Sequence, residues 1–247
     1  MVRRLTIAAV AVFLALPAGR VLADRSRRQA EQERVDAVLA RFDRAQRQIR
    51  TLRARIVETR ELAVLEKPEV LRGTLYFARP GRVRWEYESP ERRVYVLADG
   101  ELRGLIPSRR RAERLDVARR QDRIERMLAL GQSSKDLRRE FRIELVPGHP
   151  SDAADELRLV PRSRRVRRRV RELHLWISRK TGLIDRIRFT TGEGDVITLA
   201  IDDVEINPEL SAALFRLEIP EGYQLAEGLS SFAGGDEGTT ADGTTRR

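Results

Sequence analysis

The sequence predicts an α+β fold in which helices pack against one long antiparallel sheet. Three observations predict it: an amphipathic helix early in the chain, apolar residues at every second position after Thr51, and a helix-like interruption between Arg109 and Glu140. A long antiparallel sheet tends to curl, because strands twist and open edges invite aggregation. From the pattern alone, the fold is either a half-barrel filled by helices or a sheet with two helical layers.

The first 23 residues have the layout of a signal peptide. Arg3 and Arg4 precede an apolar stretch at residues 5–16, and Val21-Leu22-Ala23 supplies the small residues of a cleavage site. The apolar stretch is too short to span a bilayer comfortably, which favours a cleaved signal peptide over the alternative, an uncleaved N-terminal anchor. We therefore expect residues 1–23 to direct export to the periplasm.

The composition argues against several classes of function. The absence of Cys excludes a disulfide scaffold, a thiolate metal site and a cysteine nucleophile, and there are only two His, His149 and His174. The net charge of +11 is spread along the chain and interleaved with acids, which argues against nucleic acid as a partner. No phosphate-binding loop or nucleophile elbow is present. We predict no enzyme activity, no metal and no cofactor.

The mature chain opens with a helix and continues with strands. Apolar residues recur at three- and four-residue steps from residue 33 to residue 52, with no Pro or Gly between them. The spacing then changes to two, and Asp99-Gly100 is a strong hairpin signal. The residues of this alternating series are Leu52, Ala54, Ile56, Leu71, Gly73, Leu75, Phe77, Val83, Trp85, Tyr87, Val94 and Val96.

Helical spacing returns in the middle of the chain. Ile124, Met127, Leu128 and Leu130 predict one helix that ends near Gly131, and residues 133–140 predict a second with a serine cap. Alternating strands then resume and continue to about residue 219. Residues 229–247 have almost no apolar content and predict a disordered tail, which leaves 24–228 as the folded domain.

Three stretches in this order resemble the outer-membrane lipoprotein carrier proteins, the LolA family. The first is residues 73–87, GTLYFARPGRVRWEY, followed by Asp99-Gly100. The second is residues 181–185, TGLID, before a Gly192 to Gly194 turn, and the third is Ile206-Asn207-Pro208 with residues 215–223, FRLEIPEGY. The resemblance covers roughly residues 30–226.

The resemblance implies a curved antiparallel sheet that forms an unclosed β-barrel. An N-terminal helix and a helical lid insertion would cover its concave side. The enclosed apolar cavity would carry the acyl chains of lipoproteins from the inner to the outer membrane. An inner-membrane ABC transporter would load the carrier, an outer-membrane lipoprotein receptor would unload it, and we expect a monomer. In the family, the arginine at the position of Arg79 helps to hold the lid closed.

The candidate residues each have two interpretations. Those of the acyl-chain cavity either line a hollow or fill a closed core. Arg79 is either a solvated strand residue or a lid latch whose rigid fork of donors binds helix carbonyls. The candidates for the cavity are Leu75, Phe77, Trp85 and Tyr87 on strands, with Ile124, Met127, Leu128 and Leu130 on the lid.

Two further questions stay open. The arginine-rich segment 162–171 is either a solvated hairpin loop or a contact for anionic lipid head groups. The whole domain could alternatively be a lipid- or lipoprotein-sensing regulatory module, or a scaffold of the cell envelope with no cavity. A closed and tightly filled concave face would favour the scaffold.

Overall fold

The computed structural model of the chain describes residues 18–118, 133–148 and 152–228, with side chains from residue 26 onward. It contains three α-helices and twelve strands in these ranges. The helices are α1 (Ala18–Gln48), α2 (Ser134–Glu140) and α3 (Arg164–Arg167). The strands are β1 (Thr51–Glu61), β2 (Glu69–Ala78), β3 (Arg82–Ser89), β4 (Arg93–Ala98), β5 (Glu101–Ile106), β6 (Arg111–Asp116), β7 (Phe141–Leu145), β8 (Ala154–Pro161), β9 (Val170–Ser178), β10 (Ile184–Thr191), β11 (Val196–Ile206) and β12 (Gln224–Glu227).

All twelve strands belong to one open sheet. Its order is β12-β6-β5-β4-β3-β2-β1-β11-β10-β9-β8-β7, so β12 and β7 lie at opposite edges. Every neighbouring pair is antiparallel except β12 and β6, which are parallel. The sheet is curved, and α1 packs on its concave side. The predicted fold class, an unclosed antiparallel sheet with helices, is therefore confirmed.

The main core lies between α1 and the concave face. Alternation along each strand turns one row of side chains toward the helix, since successive residues point to opposite faces. Four residues of the helix, all buried, meet that row at the three- and four-residue steps of its apolar stripe: Val35, Val38, Leu39 and Phe42.

A smaller core lies on the convex face. Residues near the end of the domain pack there, with Phe215 and Leu217 against Val94 and Val96 of β4. Arg84 fixes this segment to the sheet, because its Nη1 donates to the main-chain carbonyl of Leu214 at 3.0 Å. Both faces of this half of the sheet are therefore covered.

Several predicted boundaries are wrong. Helix α1 ends at Gln48 rather than at residue 52, because the chain turns sharply into β1. The predicted helical interruption begins instead with strand β6, whose inward residues include the charged Glu113. Strand β12 was not expected, and the arginine-rich loop contains the one-turn helix α3.

Other predictions are confirmed or fall outside the described residues. Helix α2 is present, and the Ser133 hydroxyl caps it by accepting the Asp136 amide at 3.3 Å. Asp99 and Gly100 form the hairpin with positive φ at both residues. The predicted lid helix with Ile124, Met127, Leu128 and Leu130, and the tail 229–247, lie outside the described residues. Helix α1 begins at Ala18, inside the predicted signal peptide, whose residues 1–17 are also outside. Among the described helices none is long and apolar enough to span a bilayer.

Candidate functional site

The four strand residues predicted to bind acyl chains lie together on the concave face. Leu75 is the cross-strand partner of Trp85, and Phe77 and Tyr87 occupy inward positions of the same two strands. All four are at most 3% exposed and belong to the core under α1. In this arrangement they are packed between helix and sheet, and Leu75 also borders a small void.

A small apolar void lies under the C-terminal end of α1. Its volume is about 30 Å³, whereas an apolar cavity of about 150 Å³ is needed to hold benzene. An acyl chain could therefore enter only if the helix and the sheet separate. The residues around the void come from the end of α1 and its flank, from β1 and β2, and from the strands on the other side of β1: Gln46, Ile49, Leu52, Leu75, Leu183, Ile184, Ile187, Ile201 and Val204.

Arg79 binds the helix end directly above this void. Its Nε donates to the carbonyl of Ile49 at 2.7 Å, and its Nη2 donates to the carbonyl of Gln46 at 2.9 Å. The last carbonyls of a helix have no partner within the helix, so a cationic side chain there is favourable. The two residues that bind Arg79 also line the void. The predicted lid helix with Ile124, Met127, Leu128 and Leu130 lies outside the described residues, and so does any contact between it and Arg79.

Asn207 is a second anchor of the same helix end, and sequence reasoning missed this role. Its Nδ2 donates to the carbonyl of Gln48 at 3.0 Å, and its Oδ1 accepts the Arg50 amide at 2.7 Å. Asn207 has φ of 58°, a left-handed conformation that asparagine tolerates better than most residues. The sequence signal was present in Asn207-Pro208, which entered the sequence analysis only as part of the third stretch that carries the family resemblance.

Polar contacts hold the C-terminal third of α1 to strand β8 and to the start of α2. Arg41 Nη2 lies 2.5 Å from Asp155 Oδ2, and Asp43 accepts the amide and hydroxyl of Ser134 at 2.7 and 2.6 Å. Burial alone would raise the pKa of Asp155. Hydrogen bonds from Arg179 and Arg41 outweigh this effect, so the pKa of Asp155 lies below its ordinary value. The carboxylate therefore stays ionised and paired with the helix.

The β9–β10 turn touches the same stretch of the helix. Gly182 has φ of +74°, and a β-carbon built on it would lie 2.9 Å from the carbonyl oxygen of Arg41 and 3.2 Å from the β-carbon of Ala45. Only glycine suits both this backbone conformation and this close approach.

A buried polar cluster occupies the other end of the concave face. The Tyr87 hydroxyl donates to Glu58 Oε2 at 2.5 Å, and Arg60 Nε donates to Glu58 Oε1 at 2.6 Å. Burial raises the pKa of Tyr87 well above its usual value, and the Glu58 carboxylate raises it further. The hydroxyl therefore remains protonated and able to donate.

This cluster was not anticipated, although its signal was visible. Glu58 and Arg60 continue the inward positions of Ala54 and Ile56, so charged side chains occur where the alternation requires apolar ones. A charge at an inward position predicts a buried pair, since an unpaired buried charge is strongly unfavourable.

Within the residues that the structure describes, we find no candidate metal site and no candidate catalytic site. His174 lies half-buried on the convex face, with Nδ1 2.6 Å from Glu156 Oε1 and its ring stacked on Trp176. No group of three histidine or acidic side chains suited to a metal ion occurs within the described ranges.

Comparisons with known proteins agree with this geometry. The family model described as outer membrane lipoprotein carrier protein LolA matches residues 47–218. The outer-membrane lipoprotein carrier protein of Chromohalobacter salexigens is 30% identical over 155 residues, which are 62% of this chain and 69% of the relative.

Solved structures are also similar. An uncharacterized conserved protein from Thermus thermophilus has 15% identity and a TM-score of 0.48, over 78% of this chain and 99% of that one. A LolA superfamily protein from Nitrosomonas europaea has 12% identity and a TM-score of 0.39, over 74% and 97%. With its family match over most of its length, the chain belongs to the family of outer membrane lipoprotein carrier proteins, LolA.

Proposed function

We propose that the protein is a periplasmic carrier that binds the acyl chains of lipoproteins between α1 and the concave face. It would take them from the inner membrane and deliver them to the outer membrane. One observation carries the proposal: the apolar void under α1 is lined by the residues whose carbonyls bind Arg79. The hydrogen bonds of Arg79 can break and re-form, and they lie where α1 must separate from the sheet to admit an acyl chain.

The energetics favour an exchange rather than an empty cavity. Each buried methylene of an acyl chain stabilises the bound state by about 0.8 kcal/mol, so the chain must be shielded from water throughout its passage. The stripe of Val35, Val38, Leu39 and Phe42 shields the concave face in the described structure. An acyl chain that replaces part of this stripe keeps the apolar surface covered, and the net cost of loading stays small.

The proposed partners follow from family membership. A lipoprotein-release ABC transporter in the inner membrane would load the carrier, and an outer-membrane lipoprotein receptor would accept the cargo. The Leu75–Trp85 pair and Phe77 would contact the acyl chains, and Tyr87 would limit how far they reach, because its hydroxyl is engaged by Glu58.

The two tryptophans provide a direct test. Trp85 lies on the concave face beside Leu75, and Trp176 lies on the opposite face of the sheet. We expect a brominated fatty acid, which quenches indole fluorescence on contact, to quench the Trp176→Phe variant, in which only Trp85 remains. The matched Trp85→Phe variant keeps only Trp176 and should be quenched far less.

Equal quenching of both variants, or none in either, would contradict binding on the concave face. Mass spectrometry of the protein purified from the periplasm identifies the cargo class. Recovery of acylated peptides supports a lipoprotein carrier, whereas recovery of nothing acylated from an overexpressing strain argues for a scaffold.

A further inference from the structure

The arginine-rich segment differs from the rest of the chain in how its charges are paired. Residues 162–171 contain seven arginines and no acid. Arg162 donates to the main-chain carbonyls of Arg138 and Phe141. Arg171 donates to the main-chain carbonyl of Gly192. The other five are exposed, and their side chains have no hydrogen bond or ion pair to any residue that the structure describes: Arg164, Arg165, Arg167, Arg168 and Arg169.

Main-chain contacts fix the backbone of the segment that carries these five arginines. Helix α3 places them on one turn, and the Gly192 amide donates to the carbonyl of Arg169 at 2.9 Å. A β-carbon on Gly192 would lie 1.8 Å from the carbonyl oxygen of Arg168, so the β10–β11 turn packs directly against this backbone. The positive charges are thus presented by an ordered surface.

Exposed apolar residues lie on the same edge of the molecule. Val64 and Leu65, in the β1–β2 loop, are 82% and 44% exposed, and Val166 within α3 is 41% exposed. The β1–β2 loop is tied to the β10–β11 turn, because the Ala63 amide donates to Asp195 Oδ1 at 2.8 Å. We call the surface formed by residues 62–65, 164–169 and 192–195 the distal rim.

We infer that the distal rim docks on the surface of an anionic phospholipid bilayer. Its five unpaired arginines outnumber its acids, Glu193 and Asp195, and Asp195 is engaged by the β1–β2 loop. Arginines near an anionic membrane are each worth about 1 kcal/mol of attraction. Val64, Leu65 and Val166 would enter the interface between head groups and acyl chains, as apolar residues beside basic ones do in peripheral proteins.

The apolar tips favour a bilayer over an acidic protein. Charge attraction alone would recognise either one. Three branched apolar side chains on two separate projecting segments gain little from a polar protein surface, but each gains from the membrane interface. The inference does not depend on what the concave face carries.

The test is co-sedimentation of the full chain with phosphatidylcholine vesicles that contain or lack phosphatidylglycerol. We expect binding only with phosphatidylglycerol, weakened by added salt. Changing Arg164, Arg165, Arg167 and Arg168 to Gln should lower this binding roughly tenfold or more. The matched control changes four other exposed arginines that lack side-chain partners in the described structure, Arg44, Arg47, Arg55 and Arg216, and should stay within about twofold.

A second variant separates insertion from charge. Val64→Ser with Leu65→Ser keeps every charge and should still lower vesicle binding a few-fold. Every variant retains residues 1–23, so differences between them report the distal rim. Equal losses in both arginine variants would overturn the inference, as would unchanged vesicle binding in the rim variant. Loss of only a co-purifying acidic protein from the rim variant would assign the surface to a protein partner instead.

Discussion

The two ends of the concave face are built from opposite chemistry. Under the C-terminal end of α1, apolar side chains such as Leu75 and Ile187 surround a small void, and the helix above them is held by Arg79. At the other end, Glu58 and Arg60 fill the space with paired charges under Tyr87. One end is closed by contacts to helix carbonyls, and the other by side chains of the sheet itself.

This difference suits one end of the concave face to opening and the other end to structural support. Lifting the helix end away from Arg79 uncovers mainly apolar surface, with Gln46 as the polar exception, and an acyl chain can cover the apolar part again. Opening the polar end would uncover a charge cluster that an acyl chain cannot satisfy. Under the proposed function, the cavity for acyl chains should therefore grow from the Arg79 end and stop at Tyr87.

The largest effect is expected where the polar end is broken. Glu58→Ala removes the acceptor of the Tyr87 hydroxyl and the nearest carboxylate of the buried Arg60. We expect the free energy of unfolding to fall by about 3 kcal/mol in urea denaturation, since breaking a buried ion pair leaves a charge without its main partner. The control is Glu205→Ala, which breaks an exposed pair with Arg53 and should cost less than about 1 kcal/mol. Equal losses would show that the cluster is not a structural support.

An intermediate effect is expected at the apolar end. Arg79→Leu removes two hydrogen bonds to the end of α1, which together contribute about 1–3 kcal/mol. The population with the helix end released should rise roughly tenfold, measured as faster amide hydrogen exchange in the last turn of α1, and cargo acquisition or release should be impaired. Arg55→Leu, an exposed arginine on the convex face, is the matched control. Normal exchange and normal transfer in Arg79→Leu would mean that Arg79 is not a latch.

The smallest effect concerns the Arg41–Asp155 contact in the C-terminal third of α1. The pKa of Asp155 is lowered in the folded protein, so its contribution to stability is present above the ordinary aspartate pKa of about 3.9 and is lost as the pH falls below it. Acidification from pH 5 to pH 3 should weaken the protection of the α1 amides around Arg41 against hydrogen exchange, once the rates are corrected for the intrinsic exchange rate at each pH. The loss of protection should be less than about 1 kcal/mol, because the pair is partly solvated. Asp155→Asn should exchange faster already at pH 5 and lose this part of the pH dependence. A variant that responds to acid like the unchanged protein would exclude Asp155 as the cause.

Periodicity predicted the strands that have one apolar row. Leu75, Phe77, Trp85 and Tyr87 share a face because the spacing of two leaves no other choice, and the structure agrees. Strand β6 escaped prediction because its inward Glu113 is charged and its pattern has no clean alternation. The four residues of β12 are too few to give a pattern of their own, since their pairing depends on β6.

The candidate site was predicted less completely than the fold. That Arg79 would bind helix carbonyls came from the family resemblance, and no spacing in the sequence indicates which helix it meets. Asn207 contacts Arg50, which lies 157 residues earlier in the chain. Glu58 and Arg60, by contrast, are neighbours within the single strand β1. The contact of Asn207 can be recognised only once the topology of the fold is known. The Glu58–Arg60 pair could have been predicted from the charged residues at inward positions of β1.

The contact at Gly182 sets how tightly α1 can sit. A single added carbon at this turn would collide with the main chain of Arg41, so the helix rests on the sheet with less clearance than one methyl group. The turn thus sets the height of α1 at Arg41 and Ala45, in the C-terminal third of the helix. Small changes in the position of this turn would tilt the helix and shift the end that covers the void, and Leu183 and Ile184, which follow Gly182 in the chain, themselves border that void.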